Sequence, residues 1–261
     1  MKHAPSFPPE RPGPFRVEHL RPGDPYELSD GHAIVSEPGG RRHGGRNLVG
    51  AAAIASDPAV EEAGVDVGFT LDERTLRAPD VAVGNVADEA GFAAGAPALA
   101  VEYVEPGSDD RDLERKIAQL LEAATQVVWV VRLGGERRVE VHRADQPMVV
   151  KGRGEELAAP GILRNPIPVD ALYDRRVAHR VELQNLLQRE GYESLDAVRA
   201  EGATRGALEQ ARAAIRRILE VRGIAIGAPQ ASAIEGCHDF GTLDAWQRRA
   251  IVAASAAEIF S

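Results

Sequence analysis

Apolar residues follow two rhythms along this chain. Up to about Tyr173 they come in short runs or alternate with polar residues; beyond it they recur every three or four positions. The first rhythm is that of β-strands, the second that of amphipathic helices. "PYELSDGHAIVSE" (residues 25–37) predicts two short strands around a Ser29-Asp30-Gly31 turn. "RRHGGRNLVGAAAIASD" predicts a helix from about His43, despite internal glycines that weaken helices. "GVDVGFTL" and "DVAVGN" read as short strands, and "PALAVEYVE" as a nearly continuous apolar one, suited to a central strand covered on both faces.

"SDDRDLERKIAQLLEAAT" carries the clearest helix signal. Ser108 or Asp109 can cap it, and Leu113, Ile117, Leu120, Leu121 and Ala124 form one apolar stripe. "QVVWVVRLGGERRVEVHR" then predicts a strand, a Gly134-Gly135 turn and a return strand, so that strand, helix and strand form a βαβ-like unit with a hairpin appended. The last third is helical throughout. One helix ends at Gly223 and another begins at a Thr242 cap. The chain therefore divides into a proline-rich N-terminal arm (1–24), an α/β (α+β) domain (25–175) and an all-helical C-terminal extension (176–261). In the extension, Leu208, Ala211, Ile215, Ile218, Leu219 and Arg222 line a helix face suited to packing or to a homodimer.

Composition narrows the classes. At 44% hydrophobic and 27% charged residues, the 261-residue chain is that of a globular protein. Its single cysteine, Cys237, excludes an intramolecular disulfide and a cysteine-rich zinc site, and fits a reducing, cytoplasmic setting. "MKHAPSFPPERPGPF" has no apolar core and so does not read as a secretory signal, and no apolar run suits a membrane span. The net charge of −9 argues against a protein that coats nucleic acid, although "GGRRHGGR" and "RDLERK" are locally basic.

The chemistry turns on one anomaly: Glu102 interrupts the apolar run of "ALAVEYVE". A buried carboxylate costs several kcal/mol unless something compensates it. Asp80 opens the strand "PDVAVGN", and if the two strands are neighbours the carboxylates converge. Two carboxylates with a main-chain carbonyl and waters make a hard oxygen site of the kind Mg²⁺ prefers. Lys116, at about 100° per residue, lies roughly 80° from the centre of its helix's apolar stripe, where a long stem can reach back over the strand end. The same residues also fit a plain Pro-Asp turn, an arginine partner for Glu102, and a Lys116 that is solvated or held by Asp109 or Asp112. The seven histidines form no HxH or HExxH pattern, which argues against a zinc enzyme.

"RAPDVAVGN … APALAVEYVEPGSDDRDLERKIAQLLEAATQVVWVVRLGGERRVEVHR" resembles the Uma-two restriction endonuclease family of the PD-(D/E)XK nuclease superfamily, and "YELSDGHAIVSEPGGRRHGG" resembles that family's opening hairpin and first helix. The likeness covers roughly residues 25–175. It implies a restriction-endonuclease-like mixed central sheet flanked by helices. It also implies an Mg²⁺-dependent endonuclease, with Mn²⁺ as substitute and DNA as substrate. Carried over by position, Asp80 and Glu102 become the metal carboxylates, the Tyr103 carbonyl a further ligand, and Lys116 the lysine that orients the attacking water. The superfamily's usual Glu-x-Lys would put lysine at 104, where this chain has Val104. Glu105 stands where relatives often carry serine, and would be an added ligand or a repulsive charge. His43 and Arg46 fall where the first helix is expected to contribute a supporting or phosphate contact. The competing expectation is a non-catalytic, nuclease-like scaffold that binds a partner or dimerises through its helical tail.

Overall fold

The computed structural model describes residues 13–36 and 40–260. It divides between Gly191 and Tyr192 into two compact units. The first unit contains, in order, β1 (Tyr26–Ser29), β2 (His32–Val35), α1 (Arg41–Ala55), β3 (Ala63–Gly64), β4 (Phe69–Asp72), β5 (Thr75–Arg77), β6 (Val81–Val83), β7 (Ala93–Ala94) and β8 (Leu99–Val104). There follow α2 (Asp110–Glu122), β9 (Val127–Arg132), β10 (Arg138–His142), β11 (Val149–Gly152), β12 (Glu156–Leu157), β13 (Ile167–Pro168) and α3 (Arg175–Arg189).

The large sheet has the order β11-β10-β9-β8-β6-β3, mixed because β8 and β9 run parallel and the other pairs antiparallel. Every residue of β8 is buried, as its continuous apolar run requires. Alternation splits the strand between two cores. Val101 and Tyr103 join Trp129, Val131, Ile54 and Leu172 on the α1 side, while Ala100 and Val104 join Leu113, Ile117 and Leu120 of α2. The helix α2 begins where Asp109 accepts hydrogen bonds from the Arg111 and Asp112 amides.

The smaller sheet, β2-β1-β5-β4-β7, is built on the expected hairpin. Asp30 and Gly31 both take positive φ (54° and 84°), the geometry of a two-residue turn matched to the strands' twist. The short β5, the strands after β10 and a helix in the second unit carry no periodic signal long enough to read. Residues 1–12 of the expected arm lie outside the described residues, as do 37–39. Residues 13–24 pack instead of extending as an arm: Leu20 is buried with Leu28 and Leu76, and the Phe15 amide donates to the Gly31 carbonyl at 2.7 Å.

The division at Gly191 falls beyond the expected 175, because Val181 and Ala178 of α3 pack against Val49 and Ala53 of α1. The second unit consists of α4 (Leu195–Arg222), α5 (Ala228–Gly236), α6 (Phe240–Val252) and α7 (Ala256–Ile259). Leu208, Ile215 and Leu219 of α4 pack with Ile234, Leu243, Ala250 and Ile259. Gly223 ends α4 with φ 67°, the left-handed cap conformation. Asp239, not Thr242, caps α6, because its carboxylate accepts from the Thr242 amide at 2.7 Å. No helix among the described residues is long and apolar enough to cross a membrane.

One glycine of α1 is fixed by packing. A Cβ on Gly50 would collide with the Tyr103 hydroxyl, whereas Gly44 and Gly45 face open space. Gly44→Ala or Gly45→Ala should therefore raise stability by about 0.5–1 kcal/mol through helix propensity. Gly50→Ala should lower the melting temperature instead, and thermal denaturation of the three variants checks the contrast.

Candidate active site

The pairing of β6 with β8 sets Val81 opposite Val101, which brings Asp80, just before β6, to the level of Glu102. Asp80 is fastened at both oxygens. Its Oδ2 accepts from the Tyr103 amide at 2.5 Å, and its Oδ1 lies 2.9 Å from His43 Nε2 of α1. Glu102, the residue of β8 opposite Asp80 in this register, reaches toward α2. There its Oε1 lies 2.8 Å from Lys116 Nζ, a close charge pairing that falls short of a directed hydrogen bond.

Lys116 is surrounded by oxygen. Besides Glu102, Nζ donates to Glu27 Oε1 at 2.9 Å and to the Ala78 carbonyl at 2.8 Å. Glu27 accepts a second cation: Arg77, fully buried in β5, donates to its Oε2 at 3.0 Å. Arg77 completes its fork on Gln119 (2.8 Å) and Asp112 (3.2 Å) of α2. Asp109 and Asp112 thus have other work, the first capping the helix and the second pairing with Arg77. The "RDLERK" segment is no basic edge, since Lys116 turns inward and Arg115 pairs with Asp30 at 3.0 Å.

These contacts set the charges. Burial pushes the Glu102 carboxyl up to about 8, with Lys116 opposing and Asp80 and Glu27 adding to the rise. Burial alone would lower Lys116, but Glu102 and Glu27 outweigh it and raise the ammonium above its ordinary value. The ammonium stays charged because it has two carboxylates and a carbonyl, whereas Glu102 shares one ammonium with Glu27. The hydrogen bond to Asp80 raises His43, burial opposes it, and a backbone hydrogen bond to Tyr103 adds to the rise. The Tyr103 phenol is raised by burial and by Asp80, and its hydroxyl is buried without a partner.

The structure therefore brings together Asp80, Glu102, Tyr103, Lys116 and His43. Arg46 touches neither carboxylate; its charge is felt at the Tyr103 and Tyr173 hydroxyls. Glu105 lies one residue past β8, where its carbonyl accepts from Ser108 Oγ at 3.0 Å. Among the described residues no hydrogen bond or ion pair links its carboxylate to the cluster.

Sequence reading missed two acids. Glu27 sits in an alternating hairpin strand, where it looks like an ordinary solvent-facing residue. Asp66 lies in a turn after β3 with φ 53°. Its carboxyl is raised by desolvation and by Asp80, while His43 and Lys116 oppose the rise. No local signal marks either one, although Glu27 falls within the hairpin that carries the resemblance.

The family described as "Uma2: Putative restriction endonuclease" matches residues 15–167, more than half of the chain. The chain belongs to the Uma2 family. The match takes in Glu27, His43, Asp66, Arg77, Asp80, Glu102 and Lys116 and ends before α3. A solved structure titled as a putative nuclease belonging to DUF820, from Anabaena variabilis ATCC 29413, aligns with a TM-score of 0.54 at 19% identity. The alignment covers 63% of this chain and 99% of the other, and at that identity it speaks to the fold alone. No curated protein matches the chain.

For a Uma2 protein, the question is whether these residues fit a divalent ion. Among the described residues no three His, Cys, Asp or Glu side chains stand together as a ready-made metal cage. The donor chemistry nonetheless fits. Two carboxylates on adjacent strands act on each other electrostatically, and Glu102 Oε1 is buried without a hydrogen bond. Such a pair with waters suits a hard cation that keeps part of its hydration shell.

The raised Glu102 carboxyl has a consequence for stability. Its folded value, about 8, exceeds the ordinary 4.5, so the folded protein holds a proton that the unfolded chain releases across that interval. In metal-free buffer its contribution to stability is fully present below 4.5 and is lost as pH rises through 8. Glu102→Gln should therefore gain in melting temperature relative to wild type as pH rises through this window, with no gain below it. Thermal denaturation across pH with a chelator present reads this out.

Proposed function

We propose that this Uma2 protein is a divalent-metal-dependent endonuclease that hydrolyses DNA phosphodiester bonds. In this reading Asp80, Glu102 and the Tyr103 carbonyl hold Mg²⁺, or Mn²⁺ in its place, and Lys116 orients the attacking water. One observation carries it: a buried lysine, delivered by the helix after β8, meets Glu102 at 2.8 Å beside a second carboxylate on the neighbouring strand. Nothing in ordinary core packing calls for that arrangement, because burying these charges costs several kcal/mol each before pairing.

A bound divalent ion lowers the pKa of water and neutralises charge on a phosphoryl group. The chain's own residues do the rest. Lys116 presents a fixed positive charge at the strand end, where it can stabilise the attacked phosphate. His43 orients Asp80 through its Nε2 contact of 2.9 Å. In hydrolysis the water oxygen bonds to phosphorus as the bond to the leaving sugar oxygen breaks, and that oxygen takes up a proton. Arg41, Arg42 and Arg46 lie along the first turns of the helix that carries His43, and Arg42 donates to the Leu133 carbonyl at 3.3 Å. They supply a local basic rim on an acidic protein, as backbone contacts to DNA require.

The competing reading, a non-catalytic scaffold, is favoured by the saturation of Lys116, whose Nζ has three protein oxygens within 2.9 Å. For the helical unit we propose homodimerisation. Val221 and Val252 there are 81% and 78% exposed, unusual for large apolar side chains. A cytoplasmic location fits the single cysteine.

Plasmid DNA incubated with Mg²⁺ or Mn²⁺ should be nicked by wild type, with Asp80→Ala and Glu102→Ala each reducing the rate by at least about 100-fold. The metal-induced rise in melting temperature should vanish with the activity. A wild type that neither cleaves nor responds to metal would leave the scaffold. Arg42→Ala with Arg46→Ala should weaken DNA binding and flatten its salt dependence by about one phosphate contact per residue removed. Sedimentation of wild type against Val252→Glu tests the dimer.

A further inference from the structure

The nuclease reading assigns no role to Glu27, yet this residue is the pivot of the buried charges. Lys116 has three N–H bonds and three oxygen partners. Of these, the Glu102 contact is the least directed, while the Glu27 and Ala78 contacts are hydrogen bonds of 2.9 and 2.8 Å. Glu102 can turn toward a cation or a substrate only at the expense of its contact with Lys116. Glu27 is free of that conflict. It lies on β1 of the other sheet, with its second oxygen held by the fully buried Arg77, which Gln119 and Asp112 fix in turn. A carboxylate held this firmly can keep the ammonium in place whichever way Glu102 turns.

We propose that Glu27 is the positioning residue for Lys116, anchoring its ammonium at the strand ends so that one N–H can be released from Glu102 to the reaction without the side chain leaving the site. The proposal rests on the nuclease reading for its purpose, and on the hydrogen bonds for its mechanism. Glu27 touches neither substrate nor metal in it and acts only through Lys116.

The chain has three lysines, Lys2, Lys116 and Lys151, so acetylation by acetic anhydride followed by peptide mass spectrometry reports Lys116 separately, with Lys151 as internal reference. Lys116 should be protected in wild type and remain so in Glu102→Gln, because Glu27 and Ala78 still hold it. In Glu27→Gln its labelling should rise about tenfold or more, as a side chain released from its anchor samples open states. Asp112→Asn, which disturbs Arg77 but not Lys116, should leave the protection intact. If Glu27→Gln fails to fold, Glu27→Asp keeps a charge opposite Arg77 while shortening the reach to Lys116, and should show a smaller rise in the same direction.

In the cleavage assay, Glu27→Gln should lower kcat by about 10- to 100-fold with KM and the Mn²⁺ affinity unchanged. Glu27→Gln combined with Lys116→Ala should be no slower than Lys116→Ala alone. The assignment is overturned if Lys116 stays protected in a folded Glu27 variant, if Glu102→Gln unmasks it equally, or if the two kinetic effects multiply. Failure of wild type to cleave DNA would sink the nuclease reading alone, since the labelling still decides whether Glu27 holds Lys116.

Discussion

A single buried ammonium organises this protein. Lys116 leaves α2 and ends where three separate stretches of chain present an oxygen: Glu102 from β8, Glu27 from β1 and the Ala78 carbonyl ahead of β6. Withdrawing a cation from water is costly, and the oxygens gathered around Nζ offset it. Lys116 therefore ties the large sheet, the small sheet and α2 into one arrangement. Arg77 repeats the device beneath it, with Glu27 shared between the two cations. Removing Glu27, the acid shared by both cations, would cost about 3–5 kcal/mol, since it leaves Arg77 and Lys116 without that buried charge.

The second organising fact is the alternation of β8. Consecutive residues face opposite ways, so Tyr103 packs toward α1 while Glu102 faces α2. Asp80, at the adjacent strand end, reaches across to the α1 side through His43 and to the strand backbone through the Tyr103 amide. The two carboxylates thus sit side by side while being held from opposite layers.

Charge distribution fits the same picture. The chain carries a net charge of −9, yet the local environment of the site mixes four acids with Lys116, His43 and Arg77. Arg132 and Arg137 are drawn into ion pairs with Glu140 and Asp170. Arg41, Arg42 and Arg46 lie at the start of α1, the helix whose His43 meets Asp80.

The central unit of β8, α2 and β9 was legible because its signals are local. A continuous apolar run, a capped amphipathic stripe and a second apolar run each speak within a few residues, and Glu102 stood out against its own strand. The hairpin turn at Asp30-Gly31 and the end of α4 at Gly223 were legible for the same reason, since left-handed backbone selects particular residues. Glu27 was not legible: it lies 89 positions from Lys116 and looks in its strand like any solvent-facing acid. Asp66 and the partner of Arg77 were hidden in the same way, and the short strands after β10 lack a period long enough to see. Sequence alone determined the secondary elements with strong periodicity and the anomaly of a carboxylate in a buried strand. Only tertiary structure decided what answers that carboxylate, because the energy of a buried charge depends on which distant oxygens and cations the fold brings within about 3 Å.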